Sequence, residues 1–172
     1  MIIKKTKFRG LLIIKQKNNN DKRGNLRETF NKRILKKKFV FEYCTTSKKN
    51  VLRGFHFQTK FKQSKYVNVV KGKILDVVID LRKNSKTFGK TYKKILNSKK
   101  IDGLFIPKGF VHGLIALEND TAVINFCSNK YNPKKEFGIN IRSIGLTLPK
   151  TKLFISNKDK NLPDLKKVIQ KI

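Results

Sequence analysis

From Tyr66 to Leu81 the chain reads YVNVVKGKILDVVIDL. Two runs rich in Val and Ile flank Lys71-Gly72-Lys73, so the stretch reads as two strands joined by a hairpin turn. Further short β-rich runs follow at Thr91–Leu96, Gly103–Ile106, Phe110–Leu117 and Thr121–Cys127. Turn signals separate them at Lys83-Asn84-Ser85, Pro107-Lys108-Gly109 and Glu118-Asn119-Asp120. Many short strands at this spacing mean a sandwich or barrel. Upstream, Phe8 to Lys15 reads as a strand and Asn18-Asn19-Asn20-Asp21 as a turn cluster, and residues 25–38 carry a modest helical pattern. Residues 163–171, PDLKKVIQK, read as a short amphipathic helix. No internal repeat or linker interrupts the chain. The expectation is one all-β domain over residues 1–172, with short helices near the termini.

Composition narrows the function classes. The 172 residues are 38% hydrophobic, and 42 Lys plus Arg against 11 acids give a net charge of +31. Such a balance points first to nucleic acid or an anionic membrane. Yet only seven of the 42 are Arg, at positions 9, 23, 27, 33, 53, 82 and 142, and the lysines are spread along the whole chain. Base readers and phosphate clamps favour Arg forks. Lys, Asn and Ile are enriched together, as codon bias in an AT-rich genome produces. Nucleic-acid binding is therefore not the expected main role, although the charge would steer any anionic substrate inward. No apolar run approaches the ~20 residues that span a bilayer. The start, Met-Ile-Ile-Lys-Lys, has no signal-peptide character. Cys44 and Cys127 form neither a metal spacing nor a disulfide framework. They read as buried or half-buried thiols in a reducing cytoplasm.

The segments with chemical potential are few. In Arg53-Gly54-Phe55-His56-Phe57-Gln58, strand alternation puts Arg53, Phe55 and Phe57 on one face and Gly54, His56 and Gln58 on the other. A His and a Gln directed together into a barrel, beside a side-chain-free Gly, leave room for a ligand. A lone His is more often a satisfied core residue, but the chain has only two, and His112 also sits among apolar residues where a strand should begin. Lys65 stands at the entry to an apolar strand. Asp76 and Asp80 share the parity of Ile74 and Val78, so each needs an Arg, Lys or His partner. Asp21-Lys22-Arg23-Gly24 with Glu28, and Ile155-Ser156-Asn157-Lys158-Asp159, would pass alone as polar loops. There is no phosphate loop of Walker or Rossmann type and no zinc signature.

Taken in order, these segments resemble the dTDP-4-dehydrorhamnose 3,5-epimerase family of the cupin, or jelly-roll, superfamily. The matching text is DKRG with Glu28, SKKNVLRGFHFQ, QSK, GKILDVVIDLRKNSKTFG, IPKGFVHG, YNPKKE and SNKD, from about residue 10 to residue 165. The resemblance implies a nucleotide-linked 4-keto-6-deoxyhexose as substrate. Its C3 and C5 protons are acidified by the C4 carbonyl, and a base removes one to leave an enolate. His56 matches the base, Asp159 the carboxylate that orients it, and Lys65 the cation near the enolate oxygen. His112 matches a second active-site His. Arg23 and Arg53 match residues that hold the diphosphate, and Glu28, Glu136 and Lys158 match further substrate-binding positions. Gln58 joins them by its parity with His56. The resemblance also implies no metal and no cofactor, and a homodimer in which N-terminal strands extend the partner's sheet.

The chain departs from the family pattern in places. The family has a Tyr six positions before the Tyr of its Tyr-x-Pro segment, acting as the acid that reprotonates carbon from the opposite face. Counting back from Tyr131 gives Asn125, which cannot donate a proton as a phenol does. The family's Gln-Asp-Asn-x-Ser reads Phe41-Glu42-Tyr43-Cys44-Thr45, and its Trp-Asn-Asp reads Ile141-Arg142-Ser143. A cupin 3,4-ketoisomerase, or a non-catalytic sugar-nucleotide binder, therefore stays open beside epimerisation at C3, C5 or both.

Overall fold

A computed structural model describes residues 1–147 and 151–170. In chain order the strands are β1 (Ile2–Lys5), β2 (Leu12–Lys15), β3 (Lys17–Asp21), β4 (Gly24–Glu28), β5 (Phe41–Ser47), β6 (Leu52–Gln58) and β7 (Lys65–Lys71). They continue as β8 (Lys73–Asp80), β9 (Thr91–Asn97), β10 (Asp102–Ile106), β11 (Phe110–Ala116), β12 (Thr121–Cys127) and β13 (Glu136–Gly138). Three short α-helices are α1 (Lys32–Leu35), α2 (Asn157–Lys160) and α3 (Leu165–Ile169).

The strands form a six-stranded sheet, β1-β2-β10-β7-β12-β5, and a five-stranded sheet, β13-β6-β11-β8-β9, all antiparallel. From β5 onward the chain switches sheet at nearly every connection, and only β8 and β9 are consecutive partners. This is a jelly roll of the cupin type, as expected. The Lys71-Gly72-Lys73 turn is a correction. It does not close a hairpin, because β7 and β8 lie in different sheets. Gly72 adopts φ 77°, and a Cβ there would clash with the Thr121 hydroxyl. The turn thus sends the chain across the sandwich, since both runs are too apolar to leave any face in water.

Three apolar clusters explain the layers. Val67, Val69, Val78, Leu104, Leu114 and Val123, drawn from both sheets, pack between them. The outer face of the five-stranded sheet buries Leu52, Phe55, Val77, Ile79, Val111 and Ile115 under Ile139, Ile141 and Val168. The outer face of the six-stranded sheet buries Ile14, Tyr66 and Phe105 under Leu35, Phe30 and Phe39. The run ILDVVID carries apolar residues at both parities because its strand is covered on both sides.

Near the N-terminus the sequence reading needs revision. Phe8 to Leu11 forms a turn, and only Leu12–Lys15 of that stretch is strand. The Asn run is not the turn but strand β3, paired in register with β4. The bend is at Lys22-Arg23, where Asp21 accepts hydrogen bonds from the Arg23 backbone and guanidinium. Of residues 25–38, only Lys32–Leu35 is α-helical, started by the Asn31 side chain and stopped by Lys36 in the left-handed region. Four residues cannot sustain a helix alone; burial of Leu35 holds it. The C-terminal helix spans Leu165–Ile169, and Lys171 lies outside the described residues. Cys127 is buried, but Cys44 points to the outer face and is exposed.

Asp80 ends β8 fully buried and accepts bonds from Arg82, Ser85 and Thr87. Burial raises its pKa, but these donors outweigh it and bring the carboxyl down to about 2. A depressed folded pKa means that the stabilisation is present above pH ~4 and is lost as pH falls toward 2. Replacing Asp80 with Asn (D80N) should cost about 2 kcal/mol at neutral pH and flatten the acid limb of the stability curve. Urea unfolding between pH 2 and 7 measures both. A wild-type acid limb in D80N would refute the assignment.

Candidate active site

Strand β6 carries His56 between β13 and β11, opposite His112 and Gly138. The ladder is irregular: His112 faces His56, yet Leu114 faces Arg53. The slip falls at Gly54, whose φ is 115°. It corrects the expected alternation. Phe55 and Phe57 pack outward, but Arg53 now lines the same cleft as His56. A Cβ on Gly54 would meet Gly113 Cα at 2.7 Å and the His112 carbonyl at 2.8 Å. This backbone contact fixes the spacing of the two histidines.

The cleft lies between the sheets. One compartment beside β6, about 290 Å³, is lined by His56, Gln58, Lys65 and His112, among others. Two adjoining compartments also have His56 and Lys65 in their walls. One adds Tyr43, Thr45, Arg53 and Asn125, and the other adds Gln63, Tyr131, Glu136 and Lys158.

His56 Nε2 lies 2.7 Å from Asp159 Oδ1. Asp159 is buried on α2, whose N-cap Ser156 accepts from the Asp159 amide. Burial acts to raise the Asp159 pKa, but the bond and charge of His56, with bonds from Ser156 and the Gly54 backbone, lower it overall. An ionised carboxylate only accepts, so Nε2 carries the hydrogen and Nδ1 is the basic nitrogen. Nδ1 stands 3.8 Å from Glu136 Oε1. The other Glu136 oxygen accepts from Lys158 and, at 3.1 Å, from the Tyr131 hydroxyl. The bond to Glu136 raises the Lys158 pKa.

A second pair, His112 Nε2 to Asp76 Oδ2 at 2.8 Å, is buried behind the first. It supplies the partner that Asp76 required. Lys65 enters from β7, on the facing sheet. Burial pushes its ammonium below the usual lysine value, while Cys127, Glu136 and Asp76 pull it back up. A base with an orienting carboxylate thus faces a cation across an enclosed space. Such an arrangement can take a proton from carbon and hold the negative charge that results.

His56, Lys65, Asp159, His112, Arg53, Glu136 and Lys158 therefore converge. Gln58 lines the cleft, but its amide is committed: it donates to the Phe61 and Lys130 carbonyls and accepts from the Asn132 amide. It ties two rim loops together. Arg53 is held by Ser47 and the Thr46 carbonyl. Arg23 and Glu28 are not brought to this cleft. They lie on the separate β3-β4 hairpin, Arg23 exposed beside Asp21 and Glu28 accepting from Asn31. Sequence reasoning did not single out Thr45 and Gln63 as site residues, although each stands in a segment aligned with the family, Thr45 at the Ser of Gln-Asp-Asn-x-Ser and Gln63 opening QSK. Among the described residues, no cluster of three or more His, Cys, Asp or Glu could hold a metal ion. Among the described residues, no helix is long and apolar enough to cross a membrane.

Replacing Gly54 with Ala (G54A) should destabilise the protein by about 2 kcal/mol or more, through the backbone clash and the unfavourable φ. Urea unfolding measures this, and unchanged stability would show that the two strands are free to separate.

Comparison with known proteins bears on the family and the fold. A sequence model described as dTDP-4-dehydrorhamnose 3,5-epimerase matches residues 5–167. The dTDP-4-dehydrorhamnose 3,5-epimerase of Methanothermobacter thermautotrophicus is 39% identical over 94% of this chain and 93% of its own. The crystal structure of the enzyme of that name from Sulfolobus tokodaii superposes with a TM-score of 0.90 at 38% identity, covering 97% of each chain. A Legionella pneumophila dTDP-6-deoxy-D-glucose-3,5-epimerase, solved with dTDP-4-keto-L-rhamnose, gives a TM-score of 0.91 at 32% identity over 96% of this chain and 93% of its own.

Proposed function

The chain belongs to the dTDP-4-dehydrorhamnose 3,5-epimerase family, and on that premise we propose that it epimerises a dTDP-linked 4-keto-6-deoxyhexose at C3 and C5 in dTDP-rhamnose synthesis. The observation that carries the reading is the His56–Asp159 bond of 2.7 Å, set in an enclosed cleft with Lys65 on the opposite wall. His56 Nδ1 takes the proton on the carbon next to the ketone. The C–H electron pair moves into the carbonyl and leaves an enolate. Lys65 stabilises the developing oxyanion. Asp159 stabilises the imidazolium and fixes the ring. Proton return from the other face inverts the centre, and repetition at the second carbon completes the reaction.

Arg53, Lys158 and the general positive field draw in and hold the diphosphate. His112, locked by Asp76, offers a further polar contact to the sugar. Arg23 and Glu28 sit away from this cleft, which fits a homodimer in which each hairpin serves the partner's site. The reaction would run in the cytoplasm, where nucleotide sugars are made.

Incubation with dTDP-4-keto-6-deoxyglucose in deuterated water tests the reading. Deuterium should enter at C3 and C5, with the carbonyl remaining at C4 by NMR. No deuterium at either carbon would sink it, and a migrated carbonyl would instead indicate a ketoisomerase. Replacing Asp159 with Asn (D159N) should lower kcat by about 10²-fold or more while dTDP binding persists. Mixing an H56A protein with an R23A protein, each impaired alone, should restore part of the activity if hairpins serve neighbouring sites. An additive mixture would count against the shared site.

A further inference from the structure

Inversion at carbon requires two groups on opposite sides of one plane. His56 is on the five-stranded sheet, so the second group must project from the six-stranded sheet across the cleft. The relevant wall is formed by β7, β12 and β5, adjacent in that order. In their register Asn125 lies opposite Val67 on one side and Tyr43 on the other. Residues directly opposite in a ladder share a face. Val67 packs in the core between the sheets, so Asn125 and Tyr43 also face inward. Tyr43 shares the cleft wall with His56 and Lys65 in both adjoining compartments, and its ring stacks on Phe41 with centroids 6.1 Å apart.

Few groups on that wall can deliver a proton to carbon. Lys65 is engaged with the oxyanion. Asn125 carries an amide and Thr45 an aliphatic hydroxyl, both far weaker acids than a phenol. Tyr131 has a phenol, but it donates to Glu136 on β13, which belongs to the same sheet as the base. Asn125 is almost fully buried, and its Oδ1, like Thr45 Oγ1, has no hydrogen-bond partner among the described residues. Two orphaned polar atoms beside Tyr43 mark this wall as the surface of a polar ligand.

We infer that Tyr43 is the catalytic acid that protonates the enolate carbon on the face opposite His56. The inference rests on the epimerase reading above. The family pattern noted in the sequence carries the two residue types the other way round, Asn where this chain has Tyr43 and Tyr where it has Asn125. A phenol moved to the paired strand position still projects from the same wall. Tyr43 keeps 39% of its surface exposed at the cleft, and the desolvation it does suffer raises its pKa, with Cys127 and Glu136 adding to the effect and Arg53 opposing it, so the group enters the cycle as a neutral phenol. In the step itself the enolate electrons form the new C–H bond, the Tyr43 O–H bond breaks, and the carbonyl re-forms. His56 is left as imidazolium and Tyr43 as phenolate. Proton loss from the first and gain by the second, through solvent, restore the starting state.

The test uses the full chain with dTDP-4-keto-6-deoxyglucose in deuterated water. It follows deuterium uptake into unchanged substrate, formation of inverted product, and dTDP affinity. Replacing Tyr43 with Phe (Y43F) should leave dTDP affinity and deuterium exchange in place but lower inverted product by about 100-fold or more. The double variant Y43F/N125Y should recover most of that loss, which a merely structural role would not allow. Wild-type inversion in Y43F overturns the assignment, as does loss of exchange or of dTDP affinity along with inversion. The same split in Y131F but not in Y43F would give the role to Tyr131. Absence of deuterium uptake by the wild-type protein would instead bring down the epimerase reading, and the Tyr43 assignment with it.

Discussion

The five-stranded sheet has an apolar outer face that must be covered. Its inner face joins the core of the sandwich, and its outer face presents Leu52, Phe55, Val77, Ile79, Val111 and Ile115. These side chains need a cover, and the chain supplies it from the segment that follows β13. Ile139, Ile141 and Val168 are buried against them, and Leu153, Ile155 and Leu165 pack around the edge. Burying side chains of this kind is worth roughly 1.5–3 kcal/mol each. The same segment carries α2, and α2 carries Asp159. The hydrophobic need of the sheet and the delivery of the carboxylate to His56 are thus one event. A chain that lost the cover would lose the His56 partner with it.

The inside of the sandwich is divided along its length. Away from the cleft Val69, Ile74, Leu96 and Val123 fill the space between the sheets. At the other end the inward positions carry His56, His112, Lys65, Asn125 and Tyr43, and the space is a cleft. The polar groups remain soluble in this setting because most are paired: His56 with Asp159, His112 with Asp76, Glu136 with Lys158. The sheets also sort the groups by role. His56 stands on one and Lys65 on the other, so a flat ligand between them would be addressed from both faces. The Gly54–Gly113 contact keeps β6 and β11 close enough for this division to hold.

Legibility varied with the kind of signal. The strands from Tyr66 to Cys127 were readable because β-rich runs alternate with turn residues, and those runs became β7 to β12 with small boundary shifts. Turns were readable as positions but not as partners. Lys71-Gly72-Lys73 looks like a hairpin because local spacing says nothing about which sheet receives the next strand. The Asn18–Asp21 run misled for a related reason: Asn favours turns in isolation, but pairing with Gly24–Glu28 satisfies its backbone as strand. The weak helical pattern of residues 25–38 was divided between that hairpin and a single turn of helix.

The sequence by itself determined the all-β class, the family motifs, the two histidines as centres of interest, and the need of Asp76 and Asp80 for partners. Each of these depends on residue type and short-range order, which the chain carries openly. The resemblance paired Asp159 with His56, and the tertiary structure brings the two, 103 positions apart, within 2.7 Å. The tertiary structure alone decided that the slip at Gly54 turns Arg53 toward the cleft, that Gln58 is spent on holding loops, and that Arg23 and Glu28 lie elsewhere. It also decided that Tyr43 stands beside Asn125. These are long-range facts set by strand register and by which surface covers which. Register follows from the packing of the whole sandwich, and no local stretch of sequence contains it.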